Sequence, residues 1–235
     1  MILCLDAGNT RLKYGLFDGS SWREQAALDY ADFDTLPERL PQQPARIAAC
    51  NVAGDAVRQR IEDLAGSLGL PLAWLTASAT ACGVSNGYDN PQQLGADRWA
   101  ALIAAHALNP GPSVVVMAGT ATTIDVLDEN GLFRGGLILP GLSMMRGALA
   151  RNTADLPHAA GHYRPQPTNT DDAIASGAID ATLGAIERMR TTLGADAVCL
   201  LSGGAAAKLA PHLKLAHRLI DNLVLEGLAR YCQPN

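Results

Sequence analysis

The sequence predicts an α/β fold made of two repeated halves, each a mixed sheet with helices packed on it. Three observations lead there. Strand-like runs around a glycine turn open the chain, and the same pattern returns in register near its middle. In each half, three strand-like stretches give way to helix and strand in alternation. At 235 residues, 48% of them apolar and 17% charged, the chain can bury a core as one thick domain or as two of about a hundred residues each. The repeat favours two, residues 1–110 and 111–235.

The elements follow in order. Residues 2–17 read ILCLDAGNTRLKYGLF, two apolar β-prone runs flanking Asp6-Ala7-Gly8-Asn9-Thr10. A Gly-Asn pair between such runs signals strand, tight turn, strand, since both residues tolerate positive φ. Residues 21–28 continue as a third strand, 32–40 form a short helix stopped by Pro41, and 46–51 form a strand. Val57, Ile61, Leu64 and Leu68 recur at helical spacing over 54–68, and a strand at 72–76 follows Pro71. This order fits a ribonuclease-H-like unit. The second half repeats it, with strands near 114–118, 122–127 and 132–139, a helix after Gly141, a long helix over 171–192 and a strand at 197–201. Helices from Ala205 and Asp221 close the chain. Residues 152–168 are proline-rich and without periodicity, the pattern of a mobile loop.

The two turns carry the first chemistry. Gly8 offers backbone N–H groups free of a side chain, backed by the Thr10 hydroxyl and the Lys13 ammonium, a cradle suited to phosphate. Alone, the stretch is equally compatible with a plain hairpin at a sheet edge. The second copy, Val116-Met117-Ala118-Gly119-Thr120-Ala121-Thr122-Thr123, lies over residues 5–12. Two such turns facing each other across a central cleft would hold a polyphosphate from both sides. That arrangement resembles the phosphate loops of the actin, hexokinase and sugar-kinase superfamily, whose fold is two ribonuclease-H-like sheets flanked by helices.

Between the halves, the turn-rich stretch 82–98 ends at Gly95-Ala96-Asp97-Arg98, which opens a helix with Trp99, Leu102, Ile103 and His106 on one face. Asp97 in the first turn would at least complement the helix dipole. The alternative reading makes its carboxylate a general base for a substrate hydroxyl, with Arg98 pairing an anionic group. Leu201-Ser202-Gly203-Gly204-Ala205, after a strand and before a helix, is either a plain turn or a glycine surface against an adenosine. His158 and His162 have no acidic partner at ligand spacing, and histidine metal binding is not expected. Met144 and Met145 read as packing.

Composition narrows the partners. A net charge of -5 and a pI near 5.5 leave no basic field for nucleic acid. No apolar stretch approaches membrane-spanning length, and the opening run lacks the flanks of a leader. Cys4, Cys50, Cys82, Cys199 and Cys232 never stand at C-x-x-C spacing. They read as reduced thiols in a cytoplasmic protein.

Taken together, Asp6-x-Gly8-Asn9-Thr10-x-x-Lys13, Asn86-Gly-Tyr88, Gly95-x-Asp97-Arg98, Gly119-Thr120-Ala121-x-Thr123, Gly135-Gly136-x-Ile138-x-Pro140-Gly141 and Ser202-Gly203-Gly204 resemble type III pantothenate kinase, in order over nearly the whole chain. The resemblance implies a homodimer that moves the γ-phosphate of ATP to pantothenate, the first step towards coenzyme A. Asp6, Ala7, Gly8, Asn9, Thr10, Arg11, Leu12 and Lys13 would then bind ATP, with Asp6 near its Mg2+ and Thr120 meeting the nucleotide from the other side. Tyr88, Gly95, Ala96, Asp97 and Arg98 would hold pantothenate, with Asp97 as proton acceptor and Thr170 as a later contact completed by the partner subunit. One position departs from the family, which has aspartate before the second glycine turn as part of a K+ or NH4+ site; here it is Met117. A thioether is a poor ligand for such an ion, so either carbonyls or Asp125 replace it or the cation dependence changes. Two other readings remain: a non-catalytic or transcription-accessory protein on this fold, and a phosphotransferase with another substrate.

Overall fold

The structure, a computed structural model, describes residues 1–152 and 161–233. In chain order its elements are β1 (Ile2–Ala7), β2 (Leu12–Phe17), β3 (Trp22–Leu28), a 3-10 turn (Tyr30–Thr35) running into α1 (Leu36–Arg39), β4 (Arg46–Asn51), α2 (Asp55–Leu68), β5 (Leu72–Trp74), β6 (Thr80–Ala81), β7 (Val84–Asn86) and α3 (Ala96–Leu108). There follow β8 (Ser113–Ala118), β9 (Ala121–Leu127), β10 (Leu132–Pro140), α4 (Leu142–Asn152), α5 (Thr170–Arg190), β11 (Val198–Ser202), α6 (Ala206–Leu209), β12 (His217–Leu219) and α7 (Leu223–Tyr231). They form two compact units, Met1–Leu108 with Asn222–Asn235, and Asn109–Asp221.

In the first unit the strands run in the order β3-β2-β1-β4-β5. β1 is antiparallel to β2 and parallel to β4. Every residue of β1 is buried, as a central strand covered on both faces must be. Leu3, Leu5 and Ala7 join Phe33, Leu36, Ile47, Ile61 and Leu64 in one core, where each fully buried leucine contributes about 2 kcal/mol. The alternate side chains, Cys4 and Asp6, point to the other face of the sheet. There α7 packs on β1 and β4 and against α3. Its Leu223, Val224, Leu225, Leu228 and Ala229 are all buried. A helix this short is marginal alone and is held by that packing.

The second unit repeats the topology. Its strands run β12-β11-β8-β9-β10, so β8, β9, β10, β11 and β12 take the places of β1 to β5. β8 is antiparallel to β9 and parallel to β11. Val114, Val116, Ala118 and Ile124 pack with Ile179, Leu183 and Ile186 of α5 and with Leu209. The repeated glycine turns thus close the same strand pair in each unit.

Three details differ from the expectation. The helix over 32–40 is mostly a 3-10 turn, with only Leu36–Arg39 helical, because Pro37 and Pro41 leave room for one turn. The hairpin β6–β7 and the strand β12 carry too few residues for a period to register. α3 is buried almost all round, Arg98 and the alanines included, rather than on one stripe. Of the proline-rich piece, residues 153–160, His158 among them, lie outside the described residues. Beyond them His162 donates its backbone N–H to Asp172 Oδ1 at 2.8 Å, and Arg164 donates its own to Ser176 Oγ at 2.8 Å. Among the described residues no helix is long and apolar enough to cross a membrane. All five cysteines are free thiols.

Candidate active site

The first unit gathers most of the residues to which the sequence points. Asp6 and Ala7 end β1, Gly8 to Arg11 make the turn, and Leu12 and Lys13 begin β2. Asp6 and Lys13 are register partners across the hairpin, so the ammonium reaches back to Asp6 Oδ2 at 3.4 Å. The parallel strand β4 places Cys50 beside Asp6 on the other side, and its thiol donates to Oδ1 at 3.7 Å. Asp6 is 4% exposed. Burial raises its pKa most, the Lys13 charge pulls it back down, and the Asp97 charge adds to the rise. The two carboxylates are therefore close enough to feel each other within one unit.

Asp97 owes its place to the start of α3. Its Oδ1 accepts the Arg98 backbone N–H at 2.8 Å and folds so tightly over Gly95 that a β-carbon there would sit 2.6 Å from it. Arg98 is 5% exposed, a burial its charge tolerates only with partners. Its Nη1 donates to the Tyr88 hydroxyl at 2.9 Å, and the guanidinium lies 5.6 Å from that ring's centroid. Asn86 builds the loop that carries Tyr88: its Oδ1 accepts the Tyr88 N–H at 3.1 Å, and its Nδ2 donates to the carbonyls of Ser78 and Pro91 at 3.3 and 3.2 Å. Gly95, Ala96, Asp97, Arg98 and Tyr88 thus form one cluster, and the charge of Asp97 reaches Asp6 beside Lys13.

Two neighbours of these residues escape sequence reading. Tyr30, in the 3-10 turn, donates its hydroxyl to the Gly8 carbonyl at 2.6 Å. Cys50 reads as any buried thiol until its register with Asp6 is known. A contact that depends on strand order leaves no local sequence signal.

Thr120 and Thr170 belong to the second unit. Thr120 is exposed in the turn between β8 and β9. Gly141 donates its N–H to the Thr120 carbonyl at 2.9 Å, and a β-carbon at Gly141 would collide with the carbonyls of Gly119 and Thr120. Gly203, at φ +100°, lies so close to β8 that a β-carbon would fall 2.5 Å from the Ala118 oxygen. The Ser202-Gly203-Gly204 segment therefore packs beside the base of this turn as only glycine allows. Thr170 is the first residue of α5, after the N-cap Asn169, and is exposed.

The donor sets bear on the ions. Among the described residues no group of three or more His, Cys, Asp or Glu could hold a metal. The buried Asp6 carboxylate fits Mg2+ that arrives with phosphates, since Mg2+ keeps most of its ligands from phosphate and water. Met117 is half-buried in β8, in register with Thr123 of β9 and Ser202 of β11. Thr123 is 8% exposed and its hydroxyl has no hydrogen-bond partner, and Asp125 is fully buried. A thioether at the centre of this patch does not fit a K+ ligand.

Comparison with known proteins identifies the family. A family model described as type III pantothenate kinase matches residues 2–192. A type III pantothenate kinase of Aromatoleum aromaticum is 50% identical over 233 residues, covering 97% of this chain and 96% of that protein. That of Dechloromonas aromatica is 47% identical over 231 residues and covers 97% of each. Among solved structures, a Campylobacter jejuni protein assigned to the Baf family of transcriptional activators aligns with TM-score 0.67 at 21% identity, covering 97% of this chain and 96% of that one. A Sinorhizobium meliloti protein assigned as a 2-dehydro-3-deoxygalactonokinase aligns with TM-score 0.62 at 15% identity over 97% of each chain. At that identity these likenesses show the fold alone, a duplicated α/β architecture.

Proposed function

The chain belongs to the type III pantothenate kinase family, phosphotransferases that phosphorylate pantothenate on the way to coenzyme A, and from that premise we propose which of its residues carry the transfer. The observation that carries the reading is the pairing of two carboxylates with two cations in one unit: Asp6 with Lys13, and Asp97 beside the buried Arg98.

In this reading the turn from Asp6 to Lys13 takes the phosphates of ATP, through its backbone N–H groups, the Thr10 hydroxyl and the Lys13 ammonium. In the second unit Thr120 meets the nucleotide, and the glycine surface at Ser202 to Gly204 accepts the adenosine. Asp6 would hold the Mg2+ that accompanies ATP, and that ion would neutralise charge on the phosphates. Arg98 and Tyr88 hold pantothenate, Arg98 through its carboxylate. Asp97 accepts the proton of the primary hydroxyl as its oxygen bonds to the γ-phosphorus and the bond to ADP breaks. Gly95 brings the Asp97 carboxylate close because no side chain stands in its way.

Three further features belong to the proposal: a cytoplasmic enzyme, a homodimer whose second subunit completes the pocket near Thr170, and a weakened need for K+ or NH4+ because of Met117. The dimer is supported by apolar surface on the second unit, where Ile138 is 65% exposed and Met144 and Leu149 are 45% and 40% exposed.

A coupled assay for ADP release is the test. ADP should appear with pantothenate and be absent without it. Nucleotide binding without turnover would favour the regulatory reading, and ADP release with a different alcohol would favour another phosphotransferase.

A further inference from the structure

We infer that Tyr30 is a positioning residue which sets the direction of the amide donor at the tip of the nucleotide turn. The inference rests on the reading of residues 6–13 as the ATP phosphate loop.

The geometry begins with one peptide plane. The Tyr30 hydroxyl donates to the Gly8 carbonyl at 2.6 Å. Among the described residues no peptide bond is cis, and in a trans peptide the C=O of one residue and the N–H of the next point in opposite directions. Holding the Gly8 oxygen against Tyr30 therefore turns the Asn9 N–H directly away from it, and Asn9 is exposed at the turn. The opposite orientation would present the Gly8 carbonyl oxygen where an amide should be. An oxygen there would repel phosphate, while an N–H would bind it. A turn that begins with glycine has little of its own to prevent that flip.

Tyr30 is itself braced from behind. Arg60 Nη1 donates to the Tyr30 carbonyl at 2.8 Å, its Nη2 reaches Asp34 Oδ1 at 3.0 Å, and its guanidinium lies 4.5 Å from the Phe33 ring centroid. α2 thereby anchors the 3-10 turn, and the turn anchors the loop. Burial and the nearby Asp6 charge push the Tyr30 hydroxyl up to about 12, so it remains a donor throughout the working range of the enzyme.

The experiment compares Tyr30→Phe, which removes only the hydroxyl, with wild type. The Kd for a non-hydrolysable ATP analogue, read by calorimetry, and the KM for ATP should both rise about tenfold. The KM for pantothenate should stay where it is and the melting temperature should fall by no more than about 4 °C, a split that a general loss of structure would not produce. In the amide NMR spectrum the Asn9 resonance should move on adding the analogue to wild type and move much less in the variant. Unchanged ATP affinity together with an unchanged Asn9 response would overturn the inference. Lys13→Met separates the two levels: if it weakens nucleotide binding while Tyr30→Phe does not, only the role of Tyr30 fails. If neither change matters, the phosphate-loop reading fails with it.

Discussion

At the scale of single residues the proposed function is tested at Asp97 and at Met117. Removing a positioned general base costs about 10²- to 10⁴-fold in rate, so Asp97→Asn should lose turnover while ATP still binds, a contrast that steady-state rates and calorimetry resolve together. Near-full activity of that variant would remove Asp97 from the role of base. Met117 tests whether the chemistry and the ion site travel together. Its register partner Thr123 carries a buried, unpartnered hydroxyl, so Met117→Asp would set a carboxylate beside an oxygen that lacks a partner. The wild-type rate should respond weakly to K+ titrated at fixed ionic strength against a bulky organic cation, and Met117→Asp should make the response steeper. A wild-type rate that starts near zero and saturates at low K+ would show other oxygens holding the ion. Asp97 and Met117 were both legible in the sequence, one by its motif and the other by departing from it. Tyr30 and Cys50 were not, since each acts on a residue that only strand order or a turn brings near.

At the scale of elements, α5 shows how a helix start organises its surroundings. Asn169 caps it by accepting the Asp172 N–H at 2.9 Å, and the Asp172 carboxylate accepts the His162 N–H at 2.8 Å and the Asn169 amide at 3.0 Å. Those hydrogen bonds hold the Asp172 carboxyl below its ordinary value. A depressed folded-state pKa gives stability that is present above the unfolded value of about 4 and is lost as pH falls through the folded one. Asp172→Asn should therefore melt earlier than wild type at pH 7, and the gap should close as the pH is lowered past about 4. A gap that stays constant with pH would mean that the carboxylate charge contributes nothing there. The long helices and central strands were readable from periodicity because each repeats its pattern several times. The hairpin β6–β7, β12 and the 3-10 turn at Tyr30–Thr35 are too short to repeat anything, and their conformation is set by what they pack against.

At the scale of the molecule, the prediction is assembly: a homodimer should sediment at about 49 kDa, twice the 24.6 kDa chain. Ile138→Glu, placing charge on the most exposed of the large apolar side chains among the described residues, should shift the species towards monomer and lower activity with it. A wild-type monomer with full activity at assay concentration would remove the shared pocket. The sequence by itself determined the fold class, the duplication and the ordered motifs. Hydrophobic periodicity and turn chemistry are local, and the two glycine turns are written out in full along the chain. Only the tertiary structure decided that five strands of each unit share one order, and that α7 returns to the unit where the chain began. It alone set Asp6 between Lys13, Cys50 and the charge of Asp97. These depend on which strands lie side by side and which helix covers which face. Burial of apolar surface over the whole chain makes that choice, and no short stretch encodes it.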